Sequence, residues 1–110
     1  MIEVTVKEFL DTALEGIPVY LEIPKPMPEK FIVFQLIDRG IENRINEVTL
    51  EFRSFADSKY DAAVVDEALR EAMDTMSEGT DITCHLGGGN DDQDATLKKY
   101  RYRCYYNLYY

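Results

Sequence analysis

The last thirteen residues, KKYRYRCYYNLYY, constrain the fold most, because their side chains sort cleanly by parity. Successive residues of a strand point to opposite faces of a sheet. The even positions hold Lys98, Tyr100, Tyr102, Cys104, Tyr106, Leu108 and Tyr110, and the odd ones Lys99, Arg101, Arg103, Tyr105, Asn107 and Tyr109. One face is therefore apolar and aromatic while the other carries the charge, as a half-buried strand requires. Tyrosine suits such a strand, since its ring packs while its hydroxyl reaches water or a partner. The same crowding of tyrosine and cation also fits a platform for stacking bases. Charge argues against that use: Lys+Arg 12 against Asp+Glu 21 leaves a formal charge of -9, and phosphate binding draws its affinity from an excess of cations.

A chain of 110 residues is expected to form one domain over residues 1–110. Its hydrophobic content of 45% and charged content of 30% are those of a globular protein rather than a disordered one. No apolar run approaches the ~20 residues of a membrane span. The start, MIEVTVKEFL, lacks the basic residues and apolar block of a secretion signal, so a cytosolic location is expected. In that reducing compartment Cys84 and Cys104 are expected as free thiols. A hairpin turning at GGGND would place Cys84 near residue 99, out of reach of Cys104.

Along the chain, TVKEFLDTALEG reads as a helix: Thr5 and Glu8 form a capping box, Val6, Phe9, Leu10, Ala13 and Leu14 make a stripe, and Gly16 stops it. IPVYLEIP, with proline at each end, reads as an edge strand, and PKPMP as a stiff connector. FIVFQLID is apolar on both faces and predicts a strand covered on both sides. DRGIENRIN reads as a polar turn. EVTLEFRSF is a strand with Val48, Leu50 and Phe52 on one face. DSKYDAAVVDEALREAMDTM is a helix capped by Asp57 or Ser58, lined by Val65, Leu69, Ala72, Met73 and Met76, and ended by Gly79. DITCHL is a short strand, GGGNDDQDA a flexible acidic hairpin tip, and TLKKYRYRCYYNLY the closing strand. The order α-β-β-β-α-β-β, with short links, predicts an α+β fold: about five strands in a mixed or antiparallel sheet, two helices on one face.

No constellation for catalysis stands out, so the chain is not expected to be an enzyme. His85 is the only histidine, and its neighbour Cys84 would point to the opposite face of a strand. No further ligands stand at metal spacing. GGGNDDQD lacks the Gly-Lys-Ser/Thr end of a phosphate loop. As a calcium loop it offers Asn90, Asp92 and Asp94, but Ala95 stands where glycine is needed and Arg101 where the closing glutamate belongs. Asp61, Asp66, Glu67, Glu71 and Asp74 read as a solvated helix face. No metal or cofactor is expected.

The stretches PVYLEIPKPMPEKFIVFQ, ENRI, RSFADSKYDAA and NDDQDATLKKYRYRCYYNL, in that order over nearly the whole chain, resemble the tail terminators, or tail-completion proteins, of long-tailed bacteriophages and prophages. The family's proline-flanked strand, serine before an AA-bearing helix, and Tyr-Arg-Tyr closing strand match Pro18, Ser58, Ala62, Ala63, Tyr100, Arg101 and Tyr102. The glycine-rich tip departs from the family. The resemblance implies a virion structural protein, assembled in the bacterial cytoplasm and carried in the tail neck. It would form a homo-oligomeric ring, expected as a hexamer, on the head-proximal end of the tail tube, ending tube growth and docking to the head connector. DNA would pass through the ring without specific binding, and an acidic lumen would repel its phosphates. The expected assembly or lumen loop is Gly87, Gly88, Gly89, Asn90, Asp91, Asp92 and Asp94. The expected edge-strand interface is Val19, Tyr20, Leu21 and Glu22. A head-completion or connector protein of the neck is the nearest alternative, and a nucleic-acid-binding regulator using the closing strand the next.

Overall fold

The structure, a computed structural model, describes residues 2–42, 44–79, 82–94 and 99–110. Its elements are α1 (Ile2–Ala13), β1 (Val19–Tyr20), β2 (Lys30–Glu42), β3 (Ile45–Ala56), α2 (Lys59–Gly79), β4 (Thr83–Asp94) and β5 (Lys99–Tyr109). The α+β class and the element order are as expected from the sequence. The strands form one sheet in the order β1-β2-β3-β5-β4. Every pairing is antiparallel except β1 with β2, which is parallel, so the sheet is mixed.

α1 begins three residues before the anticipated cap. Ile2, Val6, Leu10 and Leu14 are all buried and recur every fourth residue, so one seam extends the helix upstream of Thr5, which lies inside it; Ala13 is exposed. Gly16, at φ 78°, takes the left-handed conformation that ends a helix without a Cβ clash. α2 begins as the sequence indicates: the Asp61 amide donates to Ser58 Oγ at 3.1 Å, and Val65, Leu69, Ala72, Met73 and Met76 are buried.

Both helices pack on one face of the sheet, against Ile32, Phe34, Val48, Leu50, Phe52, Cys104, Tyr106 and Leu108. Phe34 stacks on Phe52 at 5.2 Å, and Phe52 meets Tyr106 edge-on at 5.9 Å, which links three strands through ring contacts. The helices cover the middle of β5 but not its ends. Tyr102 is half-buried, and Tyr100 and Tyr110 are exposed, so only part of the even face of the closing strand is core.

On the opposite face, Phe31, Val33 and Phe55 form a second buried cluster with Tyr20 and Ile23 packed on it. Phe31 and Phe55 stack at 4.8 Å. The chain from β1 to β2 crosses this end of the face, which is why FIVF is apolar on both sides. Lys99 secures the same end: its Nζ donates to the carbonyls of Pro28 (3.0 Å) and Glu29 (3.2 Å) and pairs with Asp57 at 2.6 Å.

Two predicted loops are largely strand. Within DRGIENRIN, residues 38–42 and 45–46 continue the β2–β3 ladder to Glu42↔Ile45, past a bulge at Ile37, and the turn is confined to the link that holds Arg44 at φ 67°. GGGNDDQD lies inside β4, whose ladder with β5 runs from Thr83↔Tyr109 to Asp94↔Lys99 with a bulge between Leu86 and Gly88. Cys84 therefore stands opposite Leu108, not near residue 99, and both cysteines are free thiols. The physical reason is that β5 offers a full row of backbone donors and acceptors, and pairing with it outweighs the weak strand preference of glycine and aspartate. A 13-residue strand spans about 43 Å at ~3.3 Å per residue, which matches the 43 Å long axis of the molecule.

Candidate functional site

The residues singled out in the sequence fall on the two flanks of the sheet. Gly87, Gly88, Gly89, Asn90, Asp91, Asp92 and Asp94 belong to β4, an edge strand, and are not a hairpin tip. Among the described residues nothing pairs with the outer edge of β4. A long open edge invites strand addition, and bulges and charges are the usual protection against it. Here the bulge is at Leu86/Gly88 and the sequence supplies Asp91, Asp92 and Asp94. Residues 95–98 lie outside the described residues, and so does the Ala95 of the calcium-loop comparison.

Val19, Tyr20, Leu21 and Glu22 lie on the other flank. Val19 is buried, Tyr20 half-buried, and Leu21 and Glu22 exposed. β1 pairs with only Ile32 and Val33. Beside it, the run from Tyr20 to Lys25, together with Lys7, lines a groove of about 520 Å³. Tyr20, Leu21, Ile23 and Pro24 supply its apolar lining, and Lys7, Glu22 and Lys25 its charged lining; Lys7 also pairs with Asp11 at 2.7 Å.

A third surface lies on the segment DRGIENRIN, which the sequence predicts as a turn. Beyond the Asn46–Tyr110 backbone bonds of 2.8 and 3.0 Å, the β2–β3 hairpin projects as a short arm. Ile41 is 74% and Ile45 50% exposed on it, and Ile37 at the bulge is 46% exposed. By register Ile41 lies on the helix side and Ile45 on the opposite side, so the arm is apolar on both faces. Ile-xxx-Ile-xxx-Ile in a segment otherwise rich in Asp, Arg, Glu and Asn was the signal available in the sequence.

The face of the sheet away from the helices carries Glu47, Thr49, Glu51 and Arg53 of β3 beside Arg101, Arg103, Tyr105, Asn107 and Tyr109 of β5. Cations and anions are interleaved there. Arg53 lies 3.5 Å from Glu51, Tyr109 Oη donates to Glu47 at 3.3 Å, Thr49 Oγ1 donates to Asn107 at 2.8 Å, and Arg101 lies 6.0 Å over the Phe55 ring. Arginines held this way are parts of a sheet-face network rather than an open phosphate cradle. His85 is exposed, with its ring 5.7 Å from Tyr109; Cys84 lies on the helix side.

Inside the molecule, Asp66 departs from the solvated helix face assigned to it. It is buried and pairs with Arg70 at 2.9 Å. Burial raises its pKa, opposed by the Arg70 guanidinium and by the Cys104 thiol against it. Burial, reinforced by the Asp66 charge, pushes the Cys104 thiol up to about 12. Burial likewise raises the Tyr106 hydroxyl. A thiol that keeps its proton far above neutrality is a poor nucleophile. Among the described residues no group of three or more His, Cys, Asp or Glu is placed to hold a metal ion, and no helix is long and apolar enough to cross a membrane. No family model matches the chain, and no curated protein matches it at a significant level.

Proposed function

We propose that this chain is a structural subunit of a phage or prophage tail neck: a tail terminator that forms a ring on the head-proximal end of the tail tube, stops its growth and meets the head connector. The observation that carries the reading is the unlike pair of flanks on one sheet. One flank is a long acidic edge, β4; the other is a short, proline-bounded edge, β1, beside an apolar groove. Unlike surfaces on a single chain associate head to tail, and such contacts close into a ring when the rotation permits. An edge carrying Asp91, Asp92 and Asp94 resists strand addition and, turned toward the bore, repels the phosphates of passing DNA. Residues that perform chemistry are not required by this role.

A connector of the same neck would share the ring but not the tube contact. The regulator reading draws on the arginines of the open sheet face, yet Arg53 and Arg101 there already engage Glu51 and Phe55. The test is to add purified protein to growing tail tubes and view them by electron microscopy. A terminator arrests tubes with a ring of density at one end; tubes that elongate unchanged, with no bound density, would overturn the reading.

A further inference from the structure

We infer that the β2–β3 arm of one copy seats in the β1-flank groove of the next, with Ile41 and Ile45 as the inserted side chains and Tyr20, Leu21, Ile23 and Pro24 as the walls. The inference rests on the ring reading above and specifies the interface that would build it. An isoleucine gains nothing from exposure at the end of a hairpin in water, yet this arm carries one on each face, and Ile41 at 74% is the most exposed large aliphatic side chain among the described residues. Exposed apolar groups concentrated on a projecting element mark an interaction surface. The groove supplies the counterpart: four of its seven lining residues, Tyr20, Leu21, Ile23 and Pro24, are apolar or aromatic, and Leu21 is 45% exposed. At about 520 Å³ it lies within the range of pockets that seat a small-molecule-sized group, enough for two aliphatic side chains.

The occupant is a second copy because one copy cannot fill its own groove. β1 pairs with β2 at Ile32 and Val33, and Ile41 lies nine residues further along the same strand, about 30 Å away at ~3.3 Å per residue. Charges agree with this docking. Lys7 and Lys25 of the groove lining can meet exposed Asp38 at the base of the arm, and Glu22 of the lining can meet exposed Arg39. Both halves lie on the β1–β2–β3 side of the sheet, which leaves β4 uncovered for the bore. A knob on one part of a chain and a hole on another make a heterologous contact, which builds a ring or an open filament. Each copy makes two such contacts, so closing the ring strengthens every one of them.

The experiment uses two variants of the full chain, Ile41→Asp to disable the arm and Leu21→Asp to disable the groove, measured by sedimentation velocity and electron microscopy. Wild type is expected as rings. Each variant alone is expected as a monomer with an unchanged circular dichroism spectrum. An equal mixture is expected to give heterodimers and nothing larger, because the intact arm of the Leu21→Asp chain fits the intact groove of the Ile41→Asp chain and no further contact can form. That complementation also excludes misfolding, since an unfolded variant could not supply its intact half. Rings that persist in either variant, or a mixture that stays monomeric while wild type forms rings, would overturn the arm-in-groove contact and leave the terminator reading standing. Open filaments abolished by the same variants would retain the contact and overturn the terminator. A wild-type chain monomeric both alone and on tail tubes would overturn both.

Discussion

Tyr106 is the largest fully buried side chain, and its hydroxyl has no hydrogen-bond partner among the described residues. Its ring and its oxygen therefore act in opposite directions on stability. Tyr106→Ala is expected to cost about 3–5 kcal/mol, the range for emptying an aromatic site. Tyr106→Phe keeps the ring and removes a desolvated oxygen, so it should leave stability unchanged or raise it by up to about 2 kcal/mol; urea unfolding midpoints distinguish the two. Next to it, Cys104 is fully buried and Cys84 only half-buried. A thiol reagent at pH 8 should titrate one group in the native protein and two in denaturant. Because the native Cys104 thiol holds its proton to about 12 and an unfolded one releases it near 9.0, its contribution is complete below pH 9 and disappears as pH rises toward 12. Arg70 could be read as an i,i+4 partner of Asp66. That Asp66 lies against Cys104 of β5 and Arg70 beneath Gly89 of β4 could not, because the identity of the covering strands is a long-range contact.

At the scale of elements, β4 shows how a composition that reads as loop becomes sheet. Gly89 stands opposite Cys104, and a Cβ there would collide with the Arg70 guanidinium and lie 3.0 Å from the Arg103 carbonyl oxygen and 3.1 Å from Cys104 Cβ. The glycine thus lets α2 lay Arg70 across the strand. Gly89→Ala should destabilise by about 1–3 kcal/mol, the cost of overpacking. Gly40→Ala, where nothing lies within 4 Å, should change little, and thermal melts of the two variants provide the check. Replacing Gly87–Asp94 by a tight turn would strip most of the β4–β5 ladder and is expected to unfold this half of the sheet, seen as a lost cooperative transition in thermal melts. α2 was legible because cap, stripe and stop all agree over many residues. The ends of β2 and β4 were not, since a ladder partner supplies their stability.

For the whole molecule, charge sets what the assembly does with nucleic acid. A formal charge of -9, with Arg53 and Arg101 engaged on the sheet face, predicts no retention of duplex or single-stranded DNA near physiological salt. Asp91→Lys, Asp92→Lys and Asp94→Lys combined should create salt-sensitive binding if β4 lines the bore. Fluorescence anisotropy measures both, and wild-type binding lost on Arg101→Ala and Arg103→Ala would instead support the regulator.

The local pattern of side chains determined the class of fold, the order of its elements, the helix faces and the closing strand, because periodicity, caps and turn residues act over a few residues. It also showed FIVF to be covered twice. Only the tertiary structure decided that β1 runs parallel to β2, that most of DRGIENRIN and all of GGGNDDQD are strand, that Asp66 is buried, and that an apolar arm and an apolar groove stand about 30 Å apart. Each depends on which distant segment supplies the hydrogen-bond partner or the covering surface, and that choice is made by packing the whole chain at once.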